Sequence, residues 1–390
     1  MGGSVRDVLK VPVLLAGAIL ALGYGMTRLV NQPAFPGLNS LAVRAPAFPK
    51  PGLHVSGTVW IDSPPLTWAD LKGKVVLVDF WEYTCINCIR TFAFNKLWYE
   101  RYHRYGFEIV GVHAPEFDIA FNVDNVRTAV KRFGLPYPIV VDDWFTIWKS
   151  IQVPQDAGWP ARFLVDAKGI IRYRRTGEGA DREFELAIRN LLQQAHPGLT
   201  FPASYTLPSA DSPFAPGCGV PTDEMYMGPT YPGRDDLANP GAQKPGETKD
   251  YKLLSSVADG RAIVGGRWQT DPNGMIYEGK SQEPGPKAAQ LEMRYHAREL
   301  YAVINVSHGK PSQIYIQQDG EWLTQKNKGV DVKFDSQGRS YLTIAEPRMY
   351  YLIANSSFGS HQVSLFPTEP GLTINSFTFG NNCQTDFPHL

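Results

Sequence analysis

The chain has 390 residues, 43% of them hydrophobic, with 38 basic and 38 acidic side chains. That length suits two domains better than one, and a formal charge of zero leaves neither a basic footprint for nucleic acid nor an acidic tail. The 36 glycines and 31 prolines gather at 29–56 and between about 197 and 286, where loops are expected.

In chain order, Arg6 and Lys10 precede an apolar run of about 16 residues, 11–26, that Arg28 closes. A positive n-region followed by an apolar h-region reads as a signal anchor or a signal peptide over 1–28. The run is somewhat short of the roughly 20 residues a span needs. Ala21-Leu22-Gly23 makes only a weak cleavage site and the run continues past it, which favours an anchor. Positive charge ahead of the segment places the remainder outside the cytoplasm, in the periplasm or on the outer face of the membrane. Residues 29–56 are Pro-rich and aperiodic, and read as a tether.

From 57 to 196 strands and helices alternate. The run 75–81 (VVLVDFW) is a buried central strand, and a helix follows Cys85 to about 105. Residues 107–112 form a second strand, and 126–133 a helix that Gly134 caps. A short apolar segment at 138–141 leads to Asp142 and Asp143, which open another short helix. Residues 162–165 and 170–174 flank a turn and read as a hairpin, and 183–194 is a terminal amphipathic helix. This order predicts a mixed central sheet with helices on both faces. Prolines across the linker 197–217 exclude continuous helix. Over 218–390 apolar residues alternate, as with Leu291, Met293 and Tyr295, between turns such as Gln318-Asp319-Gly320. That pattern predicts an all-β sandwich of jelly-roll or galactose-binding type.

Cys85-Ile86-Asn87-Cys88 follows a buried strand and opens a helix. A thiolate at a helix N-terminus is stabilised by free amides and the macrodipole, so Cys85 is the expected exposed nucleophile. Cys88 lies one turn deeper and can resolve a mixed disulfide. Zinc would want a second Cys/His pair, so no metal is expected. The redox-active pair itself would serve in place of a cofactor.

Val78-Asp79-Phe80-Trp81 leading into Cys-x-x-Cys resembles thioredoxin, and 81–90 (WEYTCINCIR) resembles its TlpA/DipZ-like extracytoplasmic branch. Residues 110–117 and Gly177-Glu178-Gly179 share that likeness, and 224–228 opens a region similar to the sandwich appended to DipZ proteins. The resemblance implies a thiol–disulfide oxidoreductase, in the reducing direction, acting on exported thiol or disulfide proteins. The multi-helix membrane conduit of full DipZ proteins has no counterpart in this sequence, so a separate membrane protein would supply electrons. Asp79 matches the buried acid that relays a proton, and Trp159-Pro160 the cis-proline facing the redox pair. Trp81, Trp159, Ile86 and Asn87 are expected to contact substrate. Thr91 stands where many TlpA-like proteins carry an acid, and no role is carried over there.

Glu82 and Glu116 read as solvated glutamates, and His113 as a strand-end histidine satisfied by hydrogen bonds. Cys218 and Cys383 would close a loop of about 165 residues as a structural disulfide, or act as a second redox relay. In the chain-entropy model a loop that long is stabilising by roughly 4–5 kcal/mol. Trp268, Trp322, Tyr350 and Tyr351 could stack on sugars, which keeps open a cell-envelope protein that binds glycan or protein.

Overall fold

A computed structural model describes residues 43–44, 59–151, 157–204, 219–229, 236–242, 244–285, 287–307 and 309–381. The N-terminal segment 1–28, Cys218 and Cys383 lie outside the described residues.

All seven side chains of β3 (Val75–Trp81) are buried, because its alternate residues enter two different cores. It runs parallel to β4 (Phe107–His113), which runs parallel to β5 (Ile139–Val141). On its other side lie β6 (Ala161–Val165) and β7 (Ile170–Thr176), antiparallel as the predicted hairpin requires. Two short strands complete the edges of a seven-stranded mixed sheet: β2 (Trp60–Ile61) pairs with β5, and β1 (Val43–Arg44) with β7. The last pairing departs from expectation, since two residues of the tether join the sheet.

Among the described residues four helices cover the sheet: α1 (Ile86–Tyr102), α2 (Val123–Phe133), α3 (Thr146–Ile151) and α4 (Asp181–Ala195). Val75, Leu77 and Trp81 face α1, α2 and α4, whereas Val76, Val78 and Phe80 face α3. The helix ends follow from local chemistry. The Asn122 side chain accepts from the Asp124 amide, and Gly134 ends α2 at φ 58°. The Asp142 carboxylate accepts from the amides of Thr146, Ile147 and Trp148 at 2.8, 3.1 and 2.8 Å. The stretch expected to extend α1 to about 105 turns into a 3-10 segment at His103–Tyr105, closed by Gly106 at φ 91°.

Gly111 on β4 sits where a methyl group would press on Ile139 Cδ1 at 2.5 Å and Trp81 Nε1 at 3.0 Å. Gly111→Ala is therefore expected to destabilise by roughly 1–3 kcal/mol through overpacking, read as a lowered urea midpoint with an unchanged slope.

The C-terminal part is all-β, as expected, with one apolar core. Its hydrogen bonding runs unbroken through eleven strands rather than closing into two separate sheets. The cause is a pair of long strands, β8 (Gln290–Val306) and β9 (Arg348–Pro367), of 17 and 20 residues. They pair along most of their length and change neighbours midway at register shifts. Leu300, Ala302 and Ile304 point into the β core, whereas Tyr301 and Tyr351 pack into the core beneath α1. Both faces of that strand segment are buried because one of them docks on the redox domain. Trp268, Tyr350 and Tyr351 are core side chains, so three of the four aromatics expected to offer a sugar platform are not at the surface.

Candidate active site

The redox pair stands where β3 hands over to α1. Cys85 is the N-cap residue, and its Sγ accepts from the Cys88 amide at 3.3 Å. Both cysteines are free thiols, with Cys88 Sγ 2.7 Å from Cys85 Sγ. Cys85 is partly exposed and Cys88 fully buried, which separates an accessible attacking sulfur from a protected one.

The expectation of a stabilised Cys85 thiolate is corrected by the electrostatics of the site. Burial pushes the Cys85 thiol upward, Cys88 pulls it back, and the carboxylates of Glu116 and Glu224 push it further up. Among its largest influences the helix amide competes with two acids, one from each domain. Cys88 is held well above the ordinary thiol range, chiefly by burial, with Cys85 and Asp79 adding to it. The resolving sulfur thus stays protonated until a base removes its proton.

Asp79 lies two residues before the end of β3 and is fully buried. Burial raises its carboxyl to about 7, against the pull of Arg162 and an Asn95 hydrogen bond. Arg162 is its register partner on β6 and is also fully buried. Its guanidinium turns away to Asp181 at 2.8 Å and to the Gly179 carbonyl at 2.5 Å, over the Phe184 ring at 4.3 Å. Asp79 therefore feels a cation without being paired to it, which leaves its carboxyl poised near neutrality. Arg162 stands two residues beyond Pro160 on a strand, and so on a shared face, which is the sequence signal that points to it.

The Trp159–Pro160 peptide is cis, at the start of β6. Trp159 is half-buried, donates its indole N–H to the Ala114 carbonyl at 3.1 Å, and lies 4.5 Å from the Trp148 ring. Asn87 is partly exposed, and its Oδ1 accepts from Arg90 Nη1 at 3.4 Å.

Several expectations are corrected. Trp81 is wholly buried against Phe92 and His113, and Ile86 belongs to the core, so neither offers a substrate surface. The strand places Trp81 on its inward face, which proximity in sequence to Cys85 does not reveal. Glu82 is fully buried rather than solvated: its Oε2 accepts from the Thr84 amide at 2.7 Å and from the Thr84 hydroxyl. Glu116 is half-buried and accepts from the Tyr226 hydroxyl at 2.8 Å. His113 is fully buried, but neither ring nitrogen has a hydrogen-bond partner among the described residues. It stacks on Tyr83, with Glu82 Oε1 at 3.8 Å.

The β domain reaches the same site. Arg90, two residues after Cys88, bridges Glu178 at 3.2 Å and Glu299 of β8 at 3.1 Å. Tyr301 and Tyr351 both donate to Glu299, at 3.0 and 2.9 Å, and Arg90 lies over the Tyr301 ring. No sequence signal marks this network, because its partners lie 88 and 209 residues apart. Among the described residues no group of three or more potential metal ligands is present, and no helix is long and apolar enough to cross a membrane.

A free dithiol at a helix N-terminus, with a buried acid on the preceding strand of a mixed sheet and a cis-proline opening β6, is the arrangement of a thiol–disulfide oxidoreductase of the thioredoxin fold. Within that class, the chain is similar to DipZ and TlpA-like thioredoxin proteins. Residues 44–174 match the AhpC/TSA family, and residues 222–380 match the thioredoxin-like C-terminal domain. Protein DipZ of Mycobacterium tuberculosis is 29% identical over 330 residues, 83% of this chain. Thiol-disulfide oxidoreductase ResA of Bacillus cereus is 30% identical over 31% of this chain and 66% of its own length. SUPPRESSOR OF QUENCHING 1 of Arabidopsis thaliana is 32% identical over 37% of this chain and 13% of its own. The chain spans less than half the length of the DipZ proteins it matches, 42%.

Proposed function

We propose that the protein reduces disulfides in exported thiol proteins, working outside the cytoplasm and tethered by its N-terminal segment. Cys85 attacks the substrate disulfide, Cys88 resolves the mixed disulfide, and Asp79 takes the Cys88 proton. Trp159 and Asn87 form the partly open wall against which a substrate strand lies, with the buried cis-Pro160 behind it. A separate membrane-bound donor returns two electrons to the Cys85–Cys88 disulfide, which is the only redox group this reading needs. The observation that carries it is the graded pair, an accessible Cys85 over a buried, protonated Cys88. A glycan at the β domain forms no part of the reading, since Trp268, Tyr350 and Tyr351 serve as core.

The direction is tested by equilibrating the soluble fragment with dithiothreitol or glutathione buffers. A potential near thioredoxin's, about −270 mV, supports a reductant, whereas one near −120 mV makes it a disulfide donor. A Cys88→Ser variant is expected to accumulate mixed disulfides with exported proteins in cell envelopes, identified by mass spectrometry. A variant that traps none would overturn the substrate class.

A further inference from the structure

The second cysteine can attack only after losing its proton inside the protein, and the groups around Asp79 decide where that proton goes. Asn95 is on α1, seven residues after Cys88 and so two turns along the same face. Its Nδ2 donates to Asp79 Oδ2 at 2.8 Å, while Asp79 Oδ1 has no hydrogen-bond partner among the described residues. Asn95 Oδ1 and the Tyr137 hydroxyl are likewise buried and without one. Tyr137 precedes β5 and is 1% exposed, so its hydroxyl has no route to bulk solvent. Burial chiefly holds the hydroxyl protonated, the Asp79 charge adds to that, and Asn95, too far or too tilted for a full hydrogen bond, pulls the other way. Gly111, the β4 register partner of Asp79, leaves room between the two: a methyl there would stand 3.3 Å from Tyr137 Cε2. Three buried polar atoms without a hydrogen-bond partner among the described residues are costly unless they are used.

We propose that Asn95 and Tyr137 are positioning residues for the proton that Cys88 gives up, Asn95 tying down one oxygen of Asp79 and Tyr137 holding the other side of its chamber polar. The inference rests on the thiol–disulfide reading above. In the step concerned, the Cys88 thiol passes its proton to Asp79 Oδ1. The resulting thiolate attacks Cys85 Sγ, a Cys85–Cys88 bond forms, and the bond from Cys85 to the substrate sulfur breaks. The electron pair leaves with that sulfur as thiolate, so the pair is oxidised and the substrate reduced. The groups facing Asp79 are Cys88 and Asn95 from α1, Arg162 from β6, Gly111 from β4 and Tyr137 from the segment before β5. Asp181 of α4 is engaged with Arg162.

Dithiobis(nitrobenzoate) separates the two half-reactions, because attack by Cys85 releases one coloured thiolate and resolution by Cys88 releases the second. In Tyr137→Phe and Asn95→Leu the pH midpoint of the second release is expected to rise by roughly half to one unit, since the ionised carboxylate loses polar support. The first release should keep its profile. In an Asp79→Asn background neither substitution should move the second release. Tyr137→Phe is nearly isosteric and serves where Asn95→Leu fails to fold. Folded single variants with the wild-type midpoint, or a shift that persists without Asp79, would overturn the positioning role alone. A wild-type protein that releases no second thiolate would overturn the thiol–disulfide reading and this inference with it.

Discussion

Asp79→Asn is expected to yield a protein that is more stable at pH 8 than the wild type and slower to close its disulfide. The carboxyl rises from an ordinary 3.8 to about 7 because burial disfavours its charge. Between those values the native state holds more protons than the unfolded chain, so stability falls as pH rises through that window. Above about 7 the full penalty is present, and at roughly 1.36 kcal/mol per unit it amounts to about 4 kcal/mol at most. An amide removes the charge and keeps a partner for Asn95. The gain should vanish below about pH 4, where the acid is protonated in both states. Resolution by Cys88 should slow by about 100-fold near neutrality, the usual contribution of a positioned base. Urea unfolding at several pH values checks the first effect and release of the second thiolate the other. Equal stability of the two proteins at pH 8 would show that Asp79 is not held in a raised state.

Glu299→Ala carries the second large effect, this time destabilising. Its carboxylate takes Arg90 and the hydroxyls of Tyr301 and Tyr351 at 2.9–3.1 Å, with little exposure on either side of the ion pair. Removing it takes away one of the two carboxylates that Arg90 bridges and the carboxylate that both buried hydroxyls donate to. Breaking a buried pair from one side costs about 3–5 kcal/mol. Removing both charges, as Arg90→Leu with Glu299→Leu, should cost less than the sum of the single changes, because the pair is lost once and neither of its two charges is left facing a missing partner. The contact joins the two domains, so wild-type calorimetry should show one transition and Glu299→Ala two. Two transitions already present in the wild type would mean that the β domain is not energetically coupled to α1. Gly380 belongs to the same joint: a methyl there would run into Glu299 Oε2 and Arg90 Nη2.

Much of this protein was legible in one dimension. A strand whose residues are apolar on both faces, a Cys-x-x-Cys at its end and helical spacing beyond it are local patterns, and they determined the redox helix and the hairpin. Asp79 could be named because its place, six residues before Cys85, is itself a sequence distance. What failed did so for a common reason. Trp81, Ile86, Glu82 and His113 lie close to the cysteines in sequence or on an adjoining strand, but which face each side chain takes, and what covers that face, depends on elements packed from elsewhere. Arg162 beside Asp79 and Tyr137 beyond it are brought in by strand register across the sheet, and Arg90 meets Glu299 only because the β domain docks on α1. The sequence by itself determined the class of chemistry, which needs two sulfurs at a fixed spacing on a helix. Tertiary structure alone decided the protonation of the site, since burial and distant charges set the free energy of a proton and neither can be read along the chain.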